Sequence, residues 1–105
     1  MLVLQGTGDV VVSENLTARF VNETCARFPE SEIEYAVFEG ADHVPTLYAS
    51  QRVWLEWIWE RFEGKKARNA CCGEKKMYRP ARKVETYQKE LGYYLEYATQ
   101  SYEVA

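Results

Sequence analysis

The sequence predicts a small α/β fold, and three observations lead there. Two short apolar runs, "LVLQ" at residues 2–5 and "IEYAVF" at residues 33–38, each give way to glycine soon afterwards. Segments of helical periodicity follow each run, so the elements alternate strand, helix, strand, helix. An alternation of this kind implies parallel strands joined by a crossover helix. With 105 residues there is room for one domain and a thin core.

Taken in order, "LVLQ" ends in Gly6-Thr7-Gly8 and has the pattern of a strand buried on both faces. Ser13 is placed to N-cap a helix running to about Phe28, and Pro29 marks the turn after it. On that helix Leu16, Phe20, Thr24 and Phe28 share one face, expected to be the inner one, while Asn15 and Asn22 lie seven positions apart on the other. "IEYAVF", rich in aromatic and β-branched residues and closed by Gly40, is the second strand. Leu47, Gln51, Trp54, Leu55, Ile58 and Phe62 then fall at helical spacing, with charged residues elsewhere on the wheel and Gly64 at the C′ position.

Three blocks of charge divide the chain. Residues 1–63 carry 4 basic and 11 acidic side chains, residues 64–83 carry 8 and 1, and residues 84–105 carry 1 and 4. Domain boundaries follow: an α/β part over residues 1–64, a basic linker over 65–83 and an amphipathic tail helix over 84–105. The linker is poor in large aliphatic residues, which predicts a solvated connector rather than a packed element. In the tail, Tyr87, Leu91, Tyr94, Leu95 and Ala98 share a stripe that can dock on the body or on another subunit. A nucleic-acid partner is not expected, because the basic block holds one aromatic, Tyr78, and no recognisable binding fold. Nor is a membrane partner, because no run of 18 apolar residues occurs and the tail is acidic. The start lacks the regions of a signal peptide, so any secretory address would have to lie upstream of residue 1.

Three cysteines, Cys25, Cys71 and Cys72, show no metal-ligand spacing, and neither a metal nor a cofactor is implied. The sequons Asn15-Leu16-Thr17 and Asn22-Glu23-Thr24 point to a secreted, N-glycosylated and disulfide-permissive protein. Cys25 is then expected to pair outside its own segment or with the tail.

Chemistry gathers in the two loops that follow the strands. In open parallel sheets, ligands and reacting groups collect beyond the carboxyl ends of the strands, and there stand Asp9 and the single histidine, His43. Neighbouring strands about 4.8 Å apart let the two side chains meet. A carboxylate bound to Nδ1–H fixes the imidazole tautomer and leaves Nε2 to accept a proton from a nucleophile. A lone loop histidine is commonly a plain surface residue, so Asp9 and His43 are candidates on this ground and no more. Asp42 is the competing carboxylate, but adjacent side chains in a loop generally diverge, which favours Asp9.

"LVLQGTGDVVVSENLTARFVNETC" followed by "YAVFEGADHVPTLYASQRVWLEWIWERFEG" resembles the last two strand-and-helix units of the α/β-hydrolase superfamily. The resemblance covers residues 1 to about 64 and extends to lipase- and esterase-like members and to prolyl oligopeptidase-like serine peptidases. That pattern places the acid in a Gly-x-x-Asp turn, matched by Gly6-Thr7-Gly8-Asp9, and the base in a Gly-x-x-His loop, matched by Gly40-Ala41-Asp42-His43. It implies a C-terminal β-α-β-α fragment of an α/β-hydrolase fold, the acid and histidine of a Ser-Asp-His triad, and a small ester or peptide substrate.

Val12, where many relatives carry proline, is a minor departure. The larger one is that the Gly-x-Ser-x-Gly elbow of the nucleophile is missing, and with it the oxyanion-hole loop. Ser13, Ser31, Ser50 and Ser101 all lack flanking glycines of that kind. Alone, therefore, the chain is expected to be inactive, its serine coming from an N-terminal part or another subunit. The alternative is a non-catalytic remnant of the fold that acts as an interaction module.

Overall fold

The computed structural model describes residues 1–67 and 75–87. Its elements are β1 (Leu2–Gly6), α1 (Glu14–Arg27), β2 (Glu34–Phe38), α2 (His43–Ala49), α3 (Gln51–Phe62) and β3 (Lys76–Tyr78). They build a three-stranded sheet in the order β1-β2-β3, parallel throughout. The predicted mixed α/β fold with parallel strands is thus present. In register, Val3 stands opposite Tyr35 and Gly6 opposite Phe38, so β1 and β2 end together. Both loops that follow them leave from one rim.

Side-chain alternation along a strand sends successive residues to opposite faces. On one face Tyr35 and Val37, with Ile33 and the partly buried Val3, pack against Ala18, Val21 and Cys25 of α1. On the other, Ala36 and Phe38 pack with Leu2, Leu4 and Tyr78 of the sheet, with Ala41, and with Ala49 and Val53 of α2 and α3. β2 is covered on both sides, and this explains the apolar run from Tyr35 to Phe38 that follows Glu34.

Helix α1 begins at Ser13 as expected, although the Ser13 side chain makes no cap hydrogen bond. Its buried face differs from the expected one. Val21 and Cys25 turn inward, whereas Leu16 and Phe20 are 64% and 62% exposed. The sheet is narrow, so one stripe of the helix suffices to cover it, and the smaller residues let the backbone approach. Asn15 and Asn22 face solvent as predicted.

The second helical segment is two helices rather than one. A break at Ser50, with φ −93° and ψ 2°, separates α2 from α3. Trp54 spans it by donating from Nε1 to the Leu47 carbonyl at 3.0 Å. Because the break rotates the wheel, Val53 and Trp57 are drawn toward the sheet, while Leu47, Leu55, Ile58 and Phe62 stay exposed. Gly64 closes α3 at φ +75°, a left-handed C′ position that favours glycine.

The segment read as a solvated connector contains a strand. Met77 stands opposite Val37, and Tyr78 stacks on Phe38 with ring centroids 5.0 Å apart and planes 11° apart. Backbone pairing and one aromatic contact hold this strand, while the Lys76 and Met77 side chains remain exposed, and composition hides it. Before it, Lys75 Nζ pairs with Glu14 of α1. Of the predicted tail stripe only Tyr87 lies among the described residues, buried in a helical turn at 84–87, its hydroxyl accepting from Arg82 N–H at 3.2 Å. Leu91, Tyr94, Leu95 and Ala98 lie outside them. Cys25 is disulfide-bonded, and its partner too lies outside the described residues.

Candidate active site

Two loops meet at the carboxyl rim, and backbone contacts fix them before any side chain does. Thr7 N–H donates to the Phe38 carbonyl and Gly8 N–H to the Ala41 carbonyl, each at 3.0 Å, while Gly40 N–H donates to Thr7 Oγ1 at 2.7 Å. Gly40 turns the second loop at φ +74°. Approach is closest at Gly6, where a Cβ would lie 2.0 Å from the Ala41 carbonyl oxygen and 2.3 Å from Thr46 Oγ1. Since one of these neighbours is backbone, the Gly6→Ala substitution forces the loops apart. An expected loss of about 1–3 kcal/mol follows from the overpacking. Urea denaturation checks this, and a loss under about 0.5 kcal/mol, the size of an ordinary surface change, would show that the loops part freely.

Held this way, the first loop presents Asp9. Its Oδ1 accepts the backbone N–H groups of Val11 and Val12, both at 2.8 Å, which anchors the carboxylate in its own turn. Its Oδ2 lies 2.8 Å from Nδ1 of His43. A carboxylate only accepts, so Nδ1 carries the proton in this pair and Nε2 is left as the basic nitrogen. The Asp9 side chain is 5% exposed and that of His43 47%. Burial pushes the Asp9 carboxyl upward, but hydrogen bonds from Val12 N–H, His43 and Val11 N–H outweigh it and hold the group below its ordinary value of 3.8. At neutral pH the carboxylate is therefore charged where it meets the imidazole.

Asp42 does different work. Its Oδ1 accepts His43 N–H at 2.7 Å, capping α2, and Val10 N–H of the other loop at 3.2 Å. The choice between the two acids is thereby decided on geometry: Asp9 meets the ring, and Asp42 binds backbone. Each loop carries an acid that grips the other loop.

Gln5 is the site residue that sequence reasoning passed over. It is 4% exposed, and its carboxamide joins β1, the Asp9 loop and α1. The available signal was a polar side chain at the end of a doubly buried strand, where an unpaired amide is costly. Val3, Gln5, Val12 and Thr17 line a shallow cleft that opens beside Asp9 and His43.

Ser13 stands at the α1 N-cap and Ser50 is buried, donating to the Leu47 carbonyl at 3.3 Å. Among the described residues no serine is hydrogen-bonded to His43. Nor do the described residues gather three or more His, Cys, Asp or Glu groups that could hold a metal ion, and none of their helices is long and apolar enough to cross a membrane. The fold and the pair together define a parallel α/β sheet with a carboxylate–imidazole couple at its carboxyl rim. Comparison with protein-family models, with curated proteins and with solved structures gave no match.

Proposed function

We propose that this chain is the C-terminal part of a secreted serine hydrolase that cleaves an ester or peptide bond, carrying the acid and base of a Ser-Asp-His triad. The observation behind this reading is the 2.8 Å Asp9–His43 contact at the shared end of two parallel strands. In the reaction His43 Nε2 takes the proton of a serine hydroxyl as it attacks the carbonyl, then returns it to the leaving group. Asp9 holds the tautomer and stabilises the imidazolium that forms. The serine and the oxyanion donors come from a segment preceding this one or from another subunit.

Unequal sheet edges support a missing partner. β3 is short and carries Lys76 with Lys75 beside it, features that discourage further pairing. β1 has five residues without a charge or proline, and nothing pairs its far side among the described residues. An apolar strand with so unprotected an edge is expected to be covered by another strand. The exposed sequon asparagines Asn15 and Asn22 and the disulfide-bonded Cys25 support an oxidising compartment.

The same open edge fits a second reading, a non-catalytic remnant that recruits a partner through β1. A fluorophosphonate probe, which phosphonylates activated serines, separates the two when applied to the complete polypeptide. The hydrolase reading expects a labelled serine outside these 105 residues, within a Gly-x-Ser-x-Gly sequence. Absence of both labelling and ester or amide turnover would leave the interaction module.

A further inference from the structure

Gln5 sits on the α1 face of β1, one position before the strand ends at Gly6, buried among four hydrogen-bonding partners. Its Nε2 donates to the Val12 carbonyl at 2.9 Å, to the Gly6 carbonyl at 3.0 Å and to Asp9 Oδ2 at 3.3 Å. Its Oε1 accepts from Thr17 Oγ1 at 2.7 Å. All three oxygens around Nε2 are acceptors, so chemistry alone fixes which end of the amide faces them. Two hydrogens shared among three acceptors grip the Asp9 loop at both ends, at the Val12 carbonyl and at the carboxylate itself. The oxygen reached is Oδ2, the one that binds His43.

We propose that Gln5 is a positioning residue for the Asp9–His43 pair, a role that rests on the hydrolase reading above. Rotation of the carboxylate about its Cβ–Cγ bond would take Oδ2 away from the imidazole. Val11 and Val12 N–H restrain Oδ1, and Gln5 restrains Oδ2 from the side opposed to solvent. Thr17 in turn holds the carboxamide from α1, so the helix, the strand and the loop are tied at one buried amide. The tautomer of His43 is then set by Asp9 and kept by Gln5.

These 105 residues hold one histidine, so in nitrogen-15 imidazole spectra of the complete polypeptide the His43 signal is identified as the one lost in His43→Ala. In the native chain the Nδ1–H tautomer is expected to dominate, with a downfield, exchange-protected Nδ1 proton that Asp9→Asn abolishes. In Gln5→Met, close in volume but without the amide, the ratio of Nδ1–H to Nε2–H forms is expected to fall about tenfold while the amide spectrum stays folded, the scale of one hydrogen bond to a charged group. A purely structural glutamine would lower the melting temperature and leave that ratio alone, and this result overturns the proposal. Should Gln5→Met fail to fold, Thr17→Val decides: it frees Oε1 but keeps the carboxamide. It is expected to lower the ratio in the same direction by less, and an unchanged ratio again overturns the role. If the native chain itself lacks the Nδ1–H signal, the pair fails first and the positioning role falls with it, a result distinct from a native signal that Gln5 variants leave intact.

Discussion

In the proposed hydrolase, His43→Ala is expected to lower ester or amide turnover by at least about four orders of magnitude while the fold persists. The loss is large because the substitution deletes the imidazole that takes and returns the proton at the rim. Imidazole is the side chain suited to that exchange, and these 105 residues hold no other histidine to replace it. Persistence of the fold follows from exposure. Nearly half of the side chain is open to solvent, and the Asp9–His43 pair borders a shallow cleft. Unfolding curves should therefore shift by no more than about 0.5 kcal/mol, as for other exposed substitutions. Near-native kcat in this variant would remove His43 from the chemistry. A collapsed fold would show that the ring supports structure more than reaction.

Asp9→Asn should cost turnover about four orders of magnitude, for a different reason. Asparagine can keep its oxygen toward Val11 and Val12 N–H, which turns its NH2 toward Nδ1. A donor there demands an acceptor, so the imidazole shifts its proton to Nε2, and the base is lost with the geometry almost intact. Substrate binding should change little, so the loss is expected in kcat rather than KM. Asp9 also links stability to pH. Its carboxyl is held below its ordinary value in the folded chain, so it contributes stability fully above about pH 4, and this contribution is lost as pH falls through the folded value. Acid unfolding of the native chain and of Asp9→Asn should converge below that point. Parallel curves at all pH values would show that the hydrogen bonds to Asp9 carry no net stabilisation.

Much of the architecture could be read from residue order. The apolar strands before Gly6 and Gly40, and the helix that starts after Ser13, are local signals, and parallel pairing follows from the helix between them. Asp9 and His43 were legible as a pair because each lies three residues past a glycine, Gly6 closing the first strand and Gly40 in the turn after the second. Packing faces were less so. The chain has more apolar side chains than its small sheet can cover, so Leu16 and Phe20 competed on the helical wheel with Val21 and Cys25, and periodicity alone could not rank them. β3 was hidden because its first two side chains look like those of a connector and only Tyr78 packs. Gln5 was hidden because a hydrogen-bonding role depends on partners seven and twelve positions away, Val12 and Thr17.

The reciprocal grip of the two acids makes the rim an alignment gauge. Sliding β1 along β2 by one residue displaces its loop about 3.3 Å and inverts its faces. Asp9 would lose His43 and Asp42 would lose Val10 in the same step, because both contacts span the same pair of strands. Under the proposed function, a molecule that pairs its strands one notch out would be silent rather than sluggish, and any activity measured would count correctly zipped copies alone.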